Sequence, residues 1–153
     1  MTLTVDTSRG FVVCAHGCRH WGPHGAAGLL LRHDGRVLLQ QRAPHVHHGG
    51  TWSLPGGALH AGEKPRRGAH REASEELGGL PRIRHHATHT NDHGRWAYHT
   101  VIADTLEPFA PGRGDGEGTR TRWVAPGQVD GLRLHPDFAD TWHHIATLIG
   151  GRR

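Results

Sequence analysis

Hydrophobic positions along the chain follow two rhythms. Short runs rich in Val, Leu, Ile and aromatic residues, bounded by Gly, Pro, Asn or Asp, read as strands, whereas apolar positions recurring every three or four residues read as helices. Residues 11–15, 26–31 and 36–41 are predicted strands, the last two joined as a hairpin by the Asp34-Gly35 turn. A His- and Gly-rich loop follows at 44–50, and 51–54 runs into a turn at Pro55-Gly56-Gly57. A helix is predicted from Lys64-Pro65 to Leu77. Proline suits its first turn, Gly78-Gly79 its exit, and Ala69, Ala73 and Leu77 its inward face. Residues 83–90 and 96–103 form a second strand pair, turning at 91–94. A Gly-rich surface loop at 110–118 precedes a short strand at 121–124. The last helix, 136–148, turns Phe138, Trp142, Ile145 and either Leu148 or Ile149 to the core. Helices flanking a mixed sheet make this an α/β chain. With no fixed-period repeat and no composition break, one domain is expected over residues 1–153.

Charge turns that outline toward chemistry. On the helix that precedes Gly78, Glu72, Glu75 and Glu76 stand at i, i+3 and i+4, so three carboxylates share a face. They repel one another and oppose the negative end of the helix dipole, a cost that a bound cation would offset. Oxygen donors without Cys or His nearby favour Mg²⁺, or Mn²⁺, over zinc.

These carboxylates belong to a longer pattern. From Gly57 the chain reads Gly, five spacers, Glu63, seven spacers, Arg71-Glu72, two spacers, Glu75-Glu76, one spacer, Gly78. With the preceding Trp52-Ser53-Leu54-Pro55-Gly56, this run resembles the signature box of the Nudix hydrolases, which cleave nucleoside diphosphates linked to a further group. Every charged and Gly position is matched, and the departure is Gly79 where an aliphatic residue is usual. The resemblance implies an α/β/α sandwich and Mg²⁺-dependent hydrolysis of a phosphoric anhydride. Glu72, Glu75, Glu76 and the Gly56 carbonyl would hold the metal. Arg71 would orient the cluster and Glu63 brace it, with a structural salt bridge as the competing role for both.

By the same resemblance the base is a box Glu or a carboxylate on a distant loop. Glu117, in a Glu-x5-Trp-Val stretch similar to that of MutT-type members, is the candidate, with Asp115 as its substitute. On the substrate side Arg42 matches a phosphate-contacting arginine in offset. Trp52, Trp96 and Tyr98 offer stacking faces for a base, or else core packing. Asp137 reads a purine edge or caps the last helix. The short chain and the Trp-x-x-Pro-Gly-Gly lead favour a MutT-like nucleoside triphosphate pyrophosphatase yielding a monophosphate and pyrophosphate. Hydrolysis of dinucleoside polyphosphates, ADP-ribose or nucleotide sugars is the alternative, and a non-catalytic nucleotide sensor the remoter one. Family members often form homodimers.

Composition adds limits. The net charge is +4, carried almost wholly by arginine, with Lys64 the only lysine; it attracts polyphosphates without forming the basic stripe of a nucleic-acid binder. No long apolar run or apolar leader is present, so a cytoplasmic protein free of membrane is expected. The 17 histidines are spread along the chain. One stretch stands out: Cys14, His16, Cys18 and His20 offer soft-metal ligands. On a strand such consecutive donors do not easily close a tetrahedron, and two free thiols are the expectation.

Overall fold

The computed structural model describes residues 10–112 and 118–150. Two short strands, β1 (Phe11–Val13) and β2 (Arg19–Trp21), form an antiparallel hairpin apart from the main sheet. The main sheet has seven strands: β3 (Ala26–His33), β4 (Arg36–Arg42), β5 (Trp52–Ser53), β6 (Gly56–Ala58), β7 (Ile83–Asp92), β8 (Ala97–Thr105) and β9 (Gly118–Val124). β3 runs parallel to β8, and the other pairings are antiparallel, so the sheet is mixed. Helix α1 (Pro65–Leu77) covers one face and α2 (Pro136–Ile149) the other.

The central strand shows why. Leu29, Leu30 and Leu31 are consecutive and all fully buried, which a strand achieves only when both faces are covered. Leu29 and Leu31 point to the side of Ala69, Ala73 and Leu77, while Leu30 points to Phe138, Trp142 and Ile145. Each such leucine contributes roughly 1.5–3 kcal/mol of burial. Along α2, Ile149 packs on the core and Leu148 is exposed, which resolves the pair left open above.

The β3–β4 hairpin turns at Asp34 and Gly35, both with positive φ, as a two-residue loop requires. Beyond Arg32↔Val37 the two strands part. β6 then takes the vacated flank of β3, pairing Ala26↔Ala58 and Gly28↔Gly56. The predicted turn at 55–57 is thus partly a strand, because a side chain at Gly56 would strike the Ala27 carbonyl and only glycine lies this flat against β3. Other boundaries shift as well. β2 was not foreseen, β7 runs on to Asp92, and β9 starts at Gly118, inside the predicted 110–118 loop.

Helix α1 begins with Pro65 but has no side-chain cap at Lys64 and no basic residue in its last turn. It stops at Gly78, in the left-handed region at φ 71°, and the Gly79 amide donates to Ser74 O at 2.8 Å. The Leu77 carbonyl is satisfied from outside, by Gly112 N at 2.9 Å. Among the described residues no helix is long and apolar enough to cross a membrane.

Candidate active site

The parting of β3 from β4 sets two glycines of β6 beneath α1, and two of the three predicted carboxylates meet there. Glu72 lies directly over Gly57, where a β-carbon would collide with its carboxylate. One turn later Glu76, buried, accepts from the Gly56 amide at 2.9 Å. Glu75 sits between them in sequence and is exposed, so the helix presents i and i+4 to β6 and turns i+3 outward. Gln40, which sequence reasoning missed, donates from Nε2 to Glu76 Oε2 at 3.4 Å. Its signal was a polar residue closing the buried run Val37-Leu38-Leu39, and only the contact with Glu76 gives that signal meaning.

Arg71 holds this group in place. Its guanidinium grips both Glu63 oxygens (3.0 and 2.9 Å), donates to Glu72 Oε1 at 2.8 Å, and donates to the Ala58 carbonyl at 3.1 Å. The bond to Arg71, helped by the His60 amide, keeps the Glu63 carboxyl below its ordinary range against the opposing effect of burial. Arg71 in turn is held well above its usual range, first by Glu63 and then by Glu72 after the loss to burial. One side chain thus makes both the salt bridge to Glu63 and a contact to Glu72.

The donor set suits a hard divalent cation. Glu72 and Glu76 offer only oxygen, and the buried Gln40 Oε1, without a hydrogen-bond partner among the described residues, is an acceptor suited to a metal-bound water. Glu117 and Asp115, the predicted bases, lie outside the described residues.

Tyr98, one of the predicted substrate-side residues, lies on β8. Burial pushes its phenol above the ordinary range; the charges of Glu76 and Asp137 add to that and Arg42 opposes it. The Tyr98 hydroxyl sits over Gly28, beside Leu54, in space a side chain at 28 would fill. Arg42 is half-buried, with Nε donating to the His47 carbonyl at 2.9 Å. Asp137 is exposed in the first turn of α2, where its charge suits the helix dipole.

One detail departs from expectation, and two bear on roles left open. The cap of α2 is His135, whose Nδ1 accepts from the Asp137 amide at 3.1 Å, rather than Asp137 itself. Burial, opposed by Asp137 and reinforced by Arg42, keeps that imidazole below its usual range. Trp52 packs against the α2-side core, pairs with Gln41 and bridges to Leu134, which is the packing role. Trp96 is buried, and His20 covers one face of its ring at 4.0 Å and 5°, so that face is not offered to a base.

A cavity of about 380 Å³ lies at the hairpin end of β3, lined by Arg32, Arg36 and Asp104 among others. It holds none of the box residues, and Arg32 is already paired there with Asp104 at 2.8 and 3.1 Å.

Comparison with known proteins agrees with this geometry. The NUDIX domain family matches residues 22–147. A Mycobacterium tuberculosis protein named "Putative 8-oxo-dGTP diphosphatase 3" is 45% identical over 152 residues, covering 90% of this chain and 69% of that protein. A Bifidobacterium longum "Nucleoside triphosphate pyrophosphatase/Nudix hydrolase fusion protein" is 39% identical, covering 92% of this chain and 31% of the fusion. The crystal structure of RenU, a Nudix hydrolase from M. smegmatis, superposes with a TM-score of 0.79 at 42% identity, covering 94% of this chain and 96% of RenU.

Proposed function

The chain belongs to the Nudix hydrolase family, enzymes acting on pyrophosphate bonds, and from that membership we propose that it is a MutT-like nucleoside triphosphate pyrophosphatase releasing a monophosphate and pyrophosphate. The observation that carries this reading is the meeting of Glu72 and Glu76 on the Gly56–Gly57 segment, with Arg71 locking Glu72 from behind.

A pyrophosphate linkage repels nucleophiles because its oxygens are anionic. Mg²⁺, or Mn²⁺, when bound, neutralises those oxygens and acidifies a water. The chain's part is to hold and to orient. Glu72, Glu76 and the Gly56 carbonyl would hold the metal, with Glu75 as a further ligand. Arg71 keeps Glu72 turned to the site while its charge moderates the repulsion among the carboxylates. Glu117 takes the proton from the attacking water. Arg42 contacts phosphate from the end of β4, and Tyr98 with Asp137 borders the base.

8-oxo-dGTP is the substrate to put first, because the M. tuberculosis relative carries that activity in its name. The enzyme acts as one domain in the cytoplasm, on a free nucleotide. Purified protein and its Glu76→Gln variant, given Mg²⁺ and canonical and oxidised nucleoside triphosphates, ADP-ribose, nucleotide sugars and diadenosine polyphosphates, test this. Cleavage of 8-oxo-dGTP to its monophosphate by the wild type alone is the expected result. Cleavage of a diphosphate sugar or dinucleotide in preference to every triphosphate overturns the triphosphate assignment.

A further inference from the structure

The N-terminal hairpin carries a second set of donor atoms that phosphate chemistry does not use. Cys14 follows β1, His20 lies on β2, and His93 sits between β7 and β8. One ligand atom from each lies within 4.8 Å of the other two. The sequence expectation placed Cys14 to His20 on a strand, and here the fold differs. Cys14 N donates to Cys18 O at 2.9 Å and Gly17 N to Cys14 O at 3.0 Å, so the two cysteines flank a tight turn and Gly17 supplies the positive φ it needs. Ala15 N donates to His93 O at 2.8 Å, which draws the third chain segment in.

Two independent observations mark the cluster as built for a ligand. Cys14 is 4% and His20 7% exposed, yet His20 Nε2 and His93 Nδ1 are buried without a hydrogen-bond partner among the described residues. Burying imidazole nitrogens unsatisfied is costly, and two in contact call for a common partner. His20 is also fixed in orientation, stacked on Trp96, whose indole N–H donates to Trp21 O at 3.3 Å. Cys18, exposed, lies within hydrogen-bonding reach of the Cys14 thiol and is placed to turn inward as a fourth donor.

We propose that Cys14, Cys18, His20 and His93 hold a structural zinc ion that staples the β1–β2 hairpin to the turn between β7 and β8. Two thiolates and two imidazoles are a closed tetrahedral zinc set, with ligand atoms about 3.5 Å apart when metal is bound. Closing the site takes rotation of the imidazole rings and of Cys18, whose thiol lies outside the three-residue cluster. Three of the four ligands precede residue 22, where the family match begins, so the site is an addition beside the hydrolase fold. It nonetheless adjoins the nucleotide side, because the Trp96 ring lies 6.2 Å from that of Tyr98.

The test is metal content and cobalt spectroscopy on untagged protein purified without chelator. About one zinc per chain is expected in the wild type and equally in Glu76→Gln, since the carboxylate site is separate. Cys14→Ser and His93→Ala should lose it, and Cys18→Ser should bind at least tenfold more weakly. Because Cys14→Ser puts a hydroxyl in place of a buried thiol, wild-type protein supplies the decisive reading. Stripped of zinc and titrated with Co²⁺, it should develop thiolate charge-transfer absorption and the strong visible bands of a tetrahedral site. Zinc absent from the wild type, a weak octahedral cobalt spectrum, or a Cys14–Cys18 disulfide in the intact mass overturns the proposal.

Discussion

Glu72 rests on Gly57 so closely that a β-carbon at position 57 would stand 2.6 Å from its Cδ and under 3 Å from both oxygens. The glycine is required by the carboxylate above it, since its own φ lies outside the left-handed region. Gly57→Ala should therefore leave the backbone unstrained and push Glu72 aside. Turnover is expected to fall by about 100-fold, as for other displacements of this size, with a raised Mg²⁺ requirement and a nearly unchanged melting temperature. Unchanged kinetics in a folded variant would remove Glu72 from the metal site.

Glu76→Gln keeps an acceptor for the Gly56 amide, so the link between α1 and β6 survives while the charge is lost. A loss of turnover of at least about 100-fold in a cooperatively folded protein is the expected outcome. The same loss is expected for Glu72→Gln and Glu75→Gln, and excess Mg²⁺ should not restore any of the three. Full activity in Glu75→Gln would show that this exposed side chain stays outside the site.

Arg71→Ala removes four donated hydrogen bonds and leaves the Glu63 side chain, only 9% exposed, without its cation. Breaking a pair of this kind costs roughly 3 kcal/mol, which urea denaturation should register. Arg71→Lys cannot reproduce the fork and should recover only part of it. A double-mutant cycle with Glu63→Gln should return a coupling well above that of a surface ion pair; a coupling near zero would contradict the bracing role.

Acidification should weaken the fold in a definable window. Burial keeps His99 below the ordinary value of 6.5 although Asp92 pulls the other way, and keeps His89 below it with help from His144. His135 is shifted in the same direction, by burial with Arg42, His48 and His47, against Asp137. Such groups bind protons more readily once unfolded, so their contribution is complete above pH 6.5 and is lost as pH falls from there toward the folded values. Glu63 is shifted downward as a carboxylate, and its contribution persists until pH drops through about 4.5. Melting temperature should thus begin to decline near pH 6.5, and replacing His99 and His135 by Gln should flatten that decline. A flat profile from pH 7.5 to 5 in the wild type would rule it out.

What the sequence disclosed follows from what local geometry determines. The helical spacing of Glu72 and Glu76, the inward face of Ala69, Ala73 and Leu77, and the Asp34-Gly35 turn all depend on a few neighbouring residues, and all appear as expected. Gln40 and His135 were illegible because their importance lies in contacts with distant segments, to Glu76 for one and to the His48 ring for the other. The choice between stacking face and core packing for Trp96 stayed open for the same reason, since nothing near it in sequence announces that His20 covers its ring. The turn at residues 14–18 was hidden because alternating Cys and His imitate the two-residue period of a strand.

Helix α1 combines an uncapped start, a last turn without positive charge, and small inward side chains at Ala69 and Ala73. At 13 residues and with Gly68 inside it, the helix is marginal on its own ahead of contact with the sheet, despite good helix formers. A peptide of residues 60–80 should accordingly be mostly unstructured in water. During refolding the carboxylates find their relative positions only as β3, β6 and β8 consolidate beneath them. Hydrolytic competence then belongs to the last cooperative step, and no partly folded form of the chain should turn over substrate.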